Sequence, residues 1–167
     1  MYLDPNVNDP AFTAERRSAL KAPRPEPLLL VPRLANVEAF GAQLQRQLVV
    51  CRRTGQRSAV MMVALESRAG GERRAAVLAA AGARLRSRVR ATDLVVQIGD
   101  DFGVFLQGDV ARHASMIRER LRTALQADYG LHDALLQARP RFGLAIHAGT
   151  PISGVDLVIA AAMDVEP

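Results

Sequence analysis

One stretch holds the residues whose types and spacing could do chemistry: "RATDLVVQIGDDFGVFL", residues 90–106. Asp100 and Asp101 stand between two apolar runs, with Gly99 before them and Phe102 after. Adjacent carboxylates draw cations, yet Asp is also a favoured turn residue and then is simply solvated. Just upstream, Arg90 and Asp93 form an Arg-x-x-Asp. A guanidinium can take an anionic or acceptor edge with two parallel hydrogen bonds. Arg90 closes a helical pattern and Asp93 follows within a turn, so both side chains can face one pocket. The plainer alternative makes Asp93 a helix-end or turn residue and Arg90 a solvated cation at a helix C-terminus. With 21 arginines and ten aspartates in the chain, about one Arg-x-x-Asp arises by chance.

The elements that must position these residues are legible from their periods. Val37, Phe40, Leu44, Leu48 and Cys51 recur at helical spacing. "SAVMMVALE" (58–66) is a continuous apolar run of buried-strand type. Val77, Leu78, Ala81, Leu85 and Val89 line one face of a second helix, with Arg84, Arg86, Arg88 and Arg90 spread around it. "LVVQI" and "FGVFLQ" read as two strands joined by Gly99–Asp101, a hairpin. Ile117, Leu121, Ala124 and Leu125 mark a third helix, "RFGLAIH" a fourth strand and 154–164 a last apolar helix. After the first helix the order is β-α-β-β-α-β and then a helix. That predicts an α+β domain of ferredoxin-like type, an antiparallel sheet with helices on one face. Residues 1–27 are rich in Pro, Asn and charge and read as an extension, with a short helix from Asp9 and a stiff "KAPRPEP" linker. The domain itself is expected over 28–167.

Composition narrows the function classes. The 167 residues are 49% hydrophobic and 23% charged, an ordinary globular balance for one domain. No apolar run approaches a membrane span, and the N-terminus has no signal-peptide pattern. Cys51 is the single cysteine, which fits a reducing cytoplasm. His113, His132 and His147 lack metal-ligand spacing. The net charge of +5 suits nucleic acid, an anionic membrane or a phosphate-rich ligand, or reflects only the arginine habit of a GC-rich genome. Aromatic residues are 4% with no Trp, too few for base-stacking platforms, which argues against nucleic acid as a partner.

The order of elements and the Gly-acidic hairpin tip resemble a GGDEF domain, the diguanylate cyclase family, over most of 31–164. "VPRLANVEAF" resembles the family's "LTGLPNRRxF" and keeps Leu34, Asn36 and Phe40. "CRRTGQRSAVMMVALE" resembles "ARRxGxP" and the first strand, and "IGDDFGVFL" stands where "LGGDEFAVLL" would stand. "LAAAGARLRSRVRATD" resembles the helix leading to "RxxD", "IRERLRTAL" the next helix, and "RFGLAIHAG" the "VSIGIA" strand.

Family cyclases condense two GTP into cyclic di-GMP, using divalent metals on carboxylates of the first strand and the hairpin. Here the first strand offers only Ala64 and Glu66 near the metal position, and the Phe-Lys that follows in the family is absent. The base-reading segment has shrunk to "SRAGGERRA", the tip is one residue short, and the last helix lacks the family's lysine. The resemblance therefore implies a silent domain: no catalytic residues, no metal, no cofactor, and a degenerate tip at Gly99, Asp100, Asp101 and Phe102. It also implies a cyclic di-GMP site at Arg90 and Asp93, with Arg120 at the position that supplies a second arginine. Arginine would grip a guanine edge or phosphate, and Asp93 would accept from guanine N1–H and its amino group. The family's ligand is usually a stacked dimer, so neighbouring arginines or a second copy in a homodimer would complete the site. By resemblance, such receptors act through a protein partner in exopolysaccharide secretion (cellulose or Pel type), biofilm formation or motility. The alternatives are a protein interaction module without ligand and, further off, a residual cyclase.

Overall fold

The computed structural model describes residues 30–131 and 134–165. The expected extension over 1–27, and His132, lie outside the described residues.

Four helices form where the periods predict them. Helix α1 (Val37–Thr54) starts because the Asn36 side chain accepts from the Ala39 N–H at 2.9 Å, and stops at Gly55, whose φ of 66° is left-handed. Helix α2 (Gly71–Arg88), helix α3 (Ala114–Gln126) and helix α4 (Gly154–Met163) follow, α4 capped by Ser153 on the Asp156 N–H.

The main sheet has five strands: β1 (Arg33–Leu34), β2 (Ser58–Ser67), β3 (Leu94–Ile98), β4 (Asp101–Gln107) and β7 (Ala138–His147). Their spatial order is β1-β3-β4-β2-β7, antiparallel except for the parallel pair β1 with β3. A small separate hairpin, β5 (Tyr129–Leu131) and β6 (Ala134–Leu136), lies between α3 and β7. Its strands and β1 are additions to the expected pattern, too short to leave a period in the sequence.

The sheet has two buried faces, so β2 is buried on both and reads as an unbroken apolar run. Met61, Val63, Phe102, Val104 and Phe142 pack with Val77, Leu85, Leu121 and Leu125 of α2 and α3. Val60, Met62, Val96 and Phe105 pack with Phe40, Leu44, Leu48, Leu157 and Val158 of α1 and α4. Helices thus cover both faces rather than one: the βαββαβ core supplies α2 and α3, and the flanking helices α1 and α4 close the other side. That second layer sits very close. A Cβ on Gly103 would lie 2.4 Å from the Phe40 ring, and one on Gly154 would lie 2.0 Å from the Gly41 carbonyl oxygen. Replacing fully buried Phe40 by Ala would cost about 3–5 kcal/mol, as for core aromatics generally.

Among the described residues the outer edge of β7 faces no strand. Leu144 donates its outward N–H to the Asp164 carboxylate at 2.9 Å. Alternation puts the Pro140 nitrogen, which carries no hydrogen, on the same edge. Among the described residues no helix is long and apolar enough to cross a membrane.

Candidate functional site

Two charged clusters sit at opposite ends of β3. At its far end, Ile98 pairs with Asp101, leaving Gly99 and Asp100 as a two-residue loop. Gly99 has φ 60°, which is why glycine stands there. Asp100 is not simply solvated: Arg74, in the first turns of α2, places Nε and Nη2 each 2.8 Å from its Oδ2. A second bond from Arg74 Nη1 to the Ser67 carbonyl ties the tip to the end of β2.

Asp101 lies in register with Ala64 of β2, which in turn faces Arg141 of β7. Burial, and then the neighbouring Asp100 charge, push the Asp101 carboxyl above its ordinary range, while Arg141 and Arg74 pull it back. Arg141 also pairs with Glu66 at 2.8 Å. Phe102, by contrast, is fully buried among α2 and α3 side chains and belongs to the core.

At the near end of β3, the chain leaves α2 through a tight turn at Arg90–Asp93, in which the Asp93 N–H donates to the Arg90 carbonyl. Asp93 is 5% exposed. Its Oδ2 accepts from the Arg90 N–H at 2.8 Å and its Oδ1 from the Gln107 N–H at 3.1 Å. The carboxylate therefore staples the turn to the end of β4. Arg86 reinforces it from α2, donating to the Asp93 and Arg90 carbonyls. Arg120 Nη2 donates to the Arg88 carbonyl at 2.8 Å, closing the C-terminal end of α2 from α3. Arg84 does the reverse for α3, holding the Ala127 and Asp128 carbonyls and stacking on the Tyr129 ring at 4.0 Å.

Arg90, Asp93 and Arg120 do come together. They line one cleft of about 540 Å³ with Arg88, His113, Val89, Met116 and Ile117. The Arg90 side chain is exposed and forms no hydrogen bond or ion pair among the described residues. Such an opening, cationic at the rim with one apolar wall, can take a flat polar ring and an anion together.

The sequence did not single out Arg74 or Arg141, and it showed His113 only as a histidine without metal-ligand spacing. Arg74 meets Asp100 only because α2 starts beside the hairpin tip, a tertiary fact with no local signature. Among the described residues no three His, Cys, Asp or Glu side chains gather as a metal site would need.

No protein-family model matches the chain, and no curated protein does. Solved structures do. One is the isolated GGDEF domain of TpbB, or YfiN, from Pseudomonas aeruginosa, at 23% identity and a TM-score of 0.71, covering 84% of this chain and 86% of that one. Another is a sensory box/GGDEF family protein from Caulobacter crescentus, at 21% identity and a TM-score of 0.70, covering 78% and 89%. A third is the GGDEF domain of DgcB from Caulobacter crescentus in complex with c-di-GMP, at 15% identity and a TM-score of 0.66, covering 85% and 89%. The fold is that of GGDEF domains.

Proposed function

We propose that the chain is a divergent GGDEF domain that makes no cyclic di-GMP and instead binds it as a regulatory ligand, signalling through protein contacts. The observation that carries this reading is the cleft, where Arg90, Asp93 and Arg120 meet with an unspent guanidinium at the rim. Arg90 takes a guanine edge or a phosphate with two parallel bonds. Arg88 and the remaining donors of Arg120 offset the phosphates. Val89, Met116 and Ile117 supply an apolar wall for a base. Asp93 has both oxygens on main-chain N–H groups, so its part is to present Arg90.

The tip supports the silent half of the reading. The residues there do not fit a divalent cation. Ala64 brings no side-chain oxygen, and Asp100 and Glu66 already carry guanidinium partners, which leaves Asp101 as the one carboxylate there without an ion pair among the described residues. No catalytic step is assigned to them. The setting we propose for such a receptor is exopolysaccharide secretion, biofilm or motility control.

A calorimetric titration of the full chain with cyclic di-GMP, beside GTP, tests the reading. Saturable, salt-sensitive binding of cyclic di-GMP with poor competition by GTP is expected, with no turnover of GTP in Mg²⁺ or Mn²⁺. Clear turnover, or no binding at high ligand concentration, overturns it. One observation favours a second reading, an interaction module without ligand: Asp93 and Arg120 already have structural tasks within the fold.

A further inference from the structure

Helix α1 carries a feature that neither the cleft nor the tip explains. Its buried stripe is Phe40, Leu44, Leu48 and Cys51. At i, i+3, i+4 and i+7 on the opposite side stand Arg46, Val49, Val50 and Arg53, all exposed, with Val49 at 38% and Val50 at 52%. Arg53 has an ordinary account, since it lies in the last turn and a cation there meets the helix dipole favourably, but Arg46 in mid-helix does not share it. The valines have none. β-branched residues are poor helix formers, and at positions this open burial repays only part of that cost. Arg46 and Arg53 form no ion pair or hydrogen bond among the described residues. No Asp or Glu occurs from Ala39 to Arg57.

The geometry points to this face as a docking surface for an acidic amphipathic helix of a partner protein, whose aliphatic stripe covers Val49 and Val50 and whose flanking carboxylates meet Arg46 and Arg53. Charge complementarity selects this occupant. A second copy docked through the same face would set its Arg46 and Arg53 against their own kind, a costly juxtaposition. A membrane surface calls for a broad apolar face with large side chains. Here the large ones, Phe40, Leu44 and Leu48, are all buried against the sheet.

The test uses the full chain and two designed peptides of roughly 20 residues, long enough to fold as a helix on docking. Both contain the same Leu, Glu and Ala, in one patterned as an apolar stripe flanked by Glu and in the other shuffled. Fluorescence anisotropy should show the patterned peptide binding about tenfold tighter than the shuffled one. Replacing Val49 and Val50 by Ser together with Arg46→Glu and Arg53→Glu should remove that advantage. The pair Arg68→Glu and Arg73→Glu, exposed arginines elsewhere, should leave it intact. All four α1 positions are solvent-facing, so circular dichroism and melting should show these variants folded. Equal binding of the two peptides, or equal loss from both sets of variants, would mean bulk charge attraction and overturn the inference. So would binding of phosphatidylserine vesicles that depends on the α1 residues while the patterned peptide does not bind.

Discussion

The hairpin tip and the α2–β3 corner lie at the two ends of one five-residue strand, and each sets an aspartate among arginines. They settle the charge in different ways. At the tip, exposed Asp100 meets Arg74 directly, charge against charge. At the corner, buried Asp93 is satisfied by two main-chain N–H groups, and Arg86 and Arg120 beside it are spent on carbonyl oxygens. The difference decides what is left over. A carboxylate answered by a guanidinium leaves no charge for a visitor. A carboxylate answered by the backbone leaves its neighbouring guanidinium, here Arg90, available.

The sharpest way to break this comparison is to remove each carboxylate. Asp93→Ala strands two N–H groups in a nearly closed site and should cost about 2–4 kcal/mol, read by chemical denaturation. Asp100→Ala should cost under about 1 kcal/mol, as exposed ion pairs do. Equal costs would erase the distinction. Next comes ligand affinity. Arg90→Ala should weaken cyclic di-GMP binding roughly ten- to a hundredfold in calorimetry, the loss of a charge-assisted bidentate contact. Arg74→Ala should leave that affinity unchanged, and a matching loss would mean that both ends serve the ligand.

Smaller still is the tip's own lock. Arg74→Ala should lower stability slightly at low salt and hardly at all at high salt, because screening already weakens a partly exposed pair. The least effect belongs to Asp101. Its folded carboxyl sits above the ordinary range, so the native state holds the proton more tightly than the unfolded chain. Stability contributed there is present below the ordinary carboxylate pKa of 3.8 and is lost as pH rises through the raised folded value. Asp101→Asn should therefore be neutral or slightly stabilising at pH 7, with the gain fading in acid. A variant that is less stable at pH 7 and recovers in acid would reverse that sign.

What the sequence disclosed follows from where local pattern governs. The long helices and strands announce themselves because their buried faces repeat. The two-residue β1 pairs in parallel with β3 through contacts far away in the chain, and the β5–β6 hairpin is too short to repeat anything. The convergence of Arg90 and Asp93 on one cleft was legible because a helix end and a turn fix it, while Arg120 was placed beside them by the family resemblance. Their individual bonds were not legible. Whether Asp93 faces a ligand or the Gln107 N–H depends on the register of β4 against β3, and whether Arg120 is free depends on where α2 ends beside α3. The pairing of Asp100 with Arg74 was hidden for the same reason.

One small bond near the C-terminal end of the described chain has a wider consequence. An acid at a helix C-terminus is unfavourable against the dipole, yet Asp164 sits there and holds the Leu144 N–H. Together with Pro140 it interrupts the donor row that another strand would need along the free side of β7. Sheets with intact edges can template sideways growth, chain upon chain, toward fibrils. Here that growth is interrupted at the backbone itself. Along this side, molecules crowded together at high concentration are left to meet through side chains, where partners can be chosen, rather than through a main chain that would accept any strand.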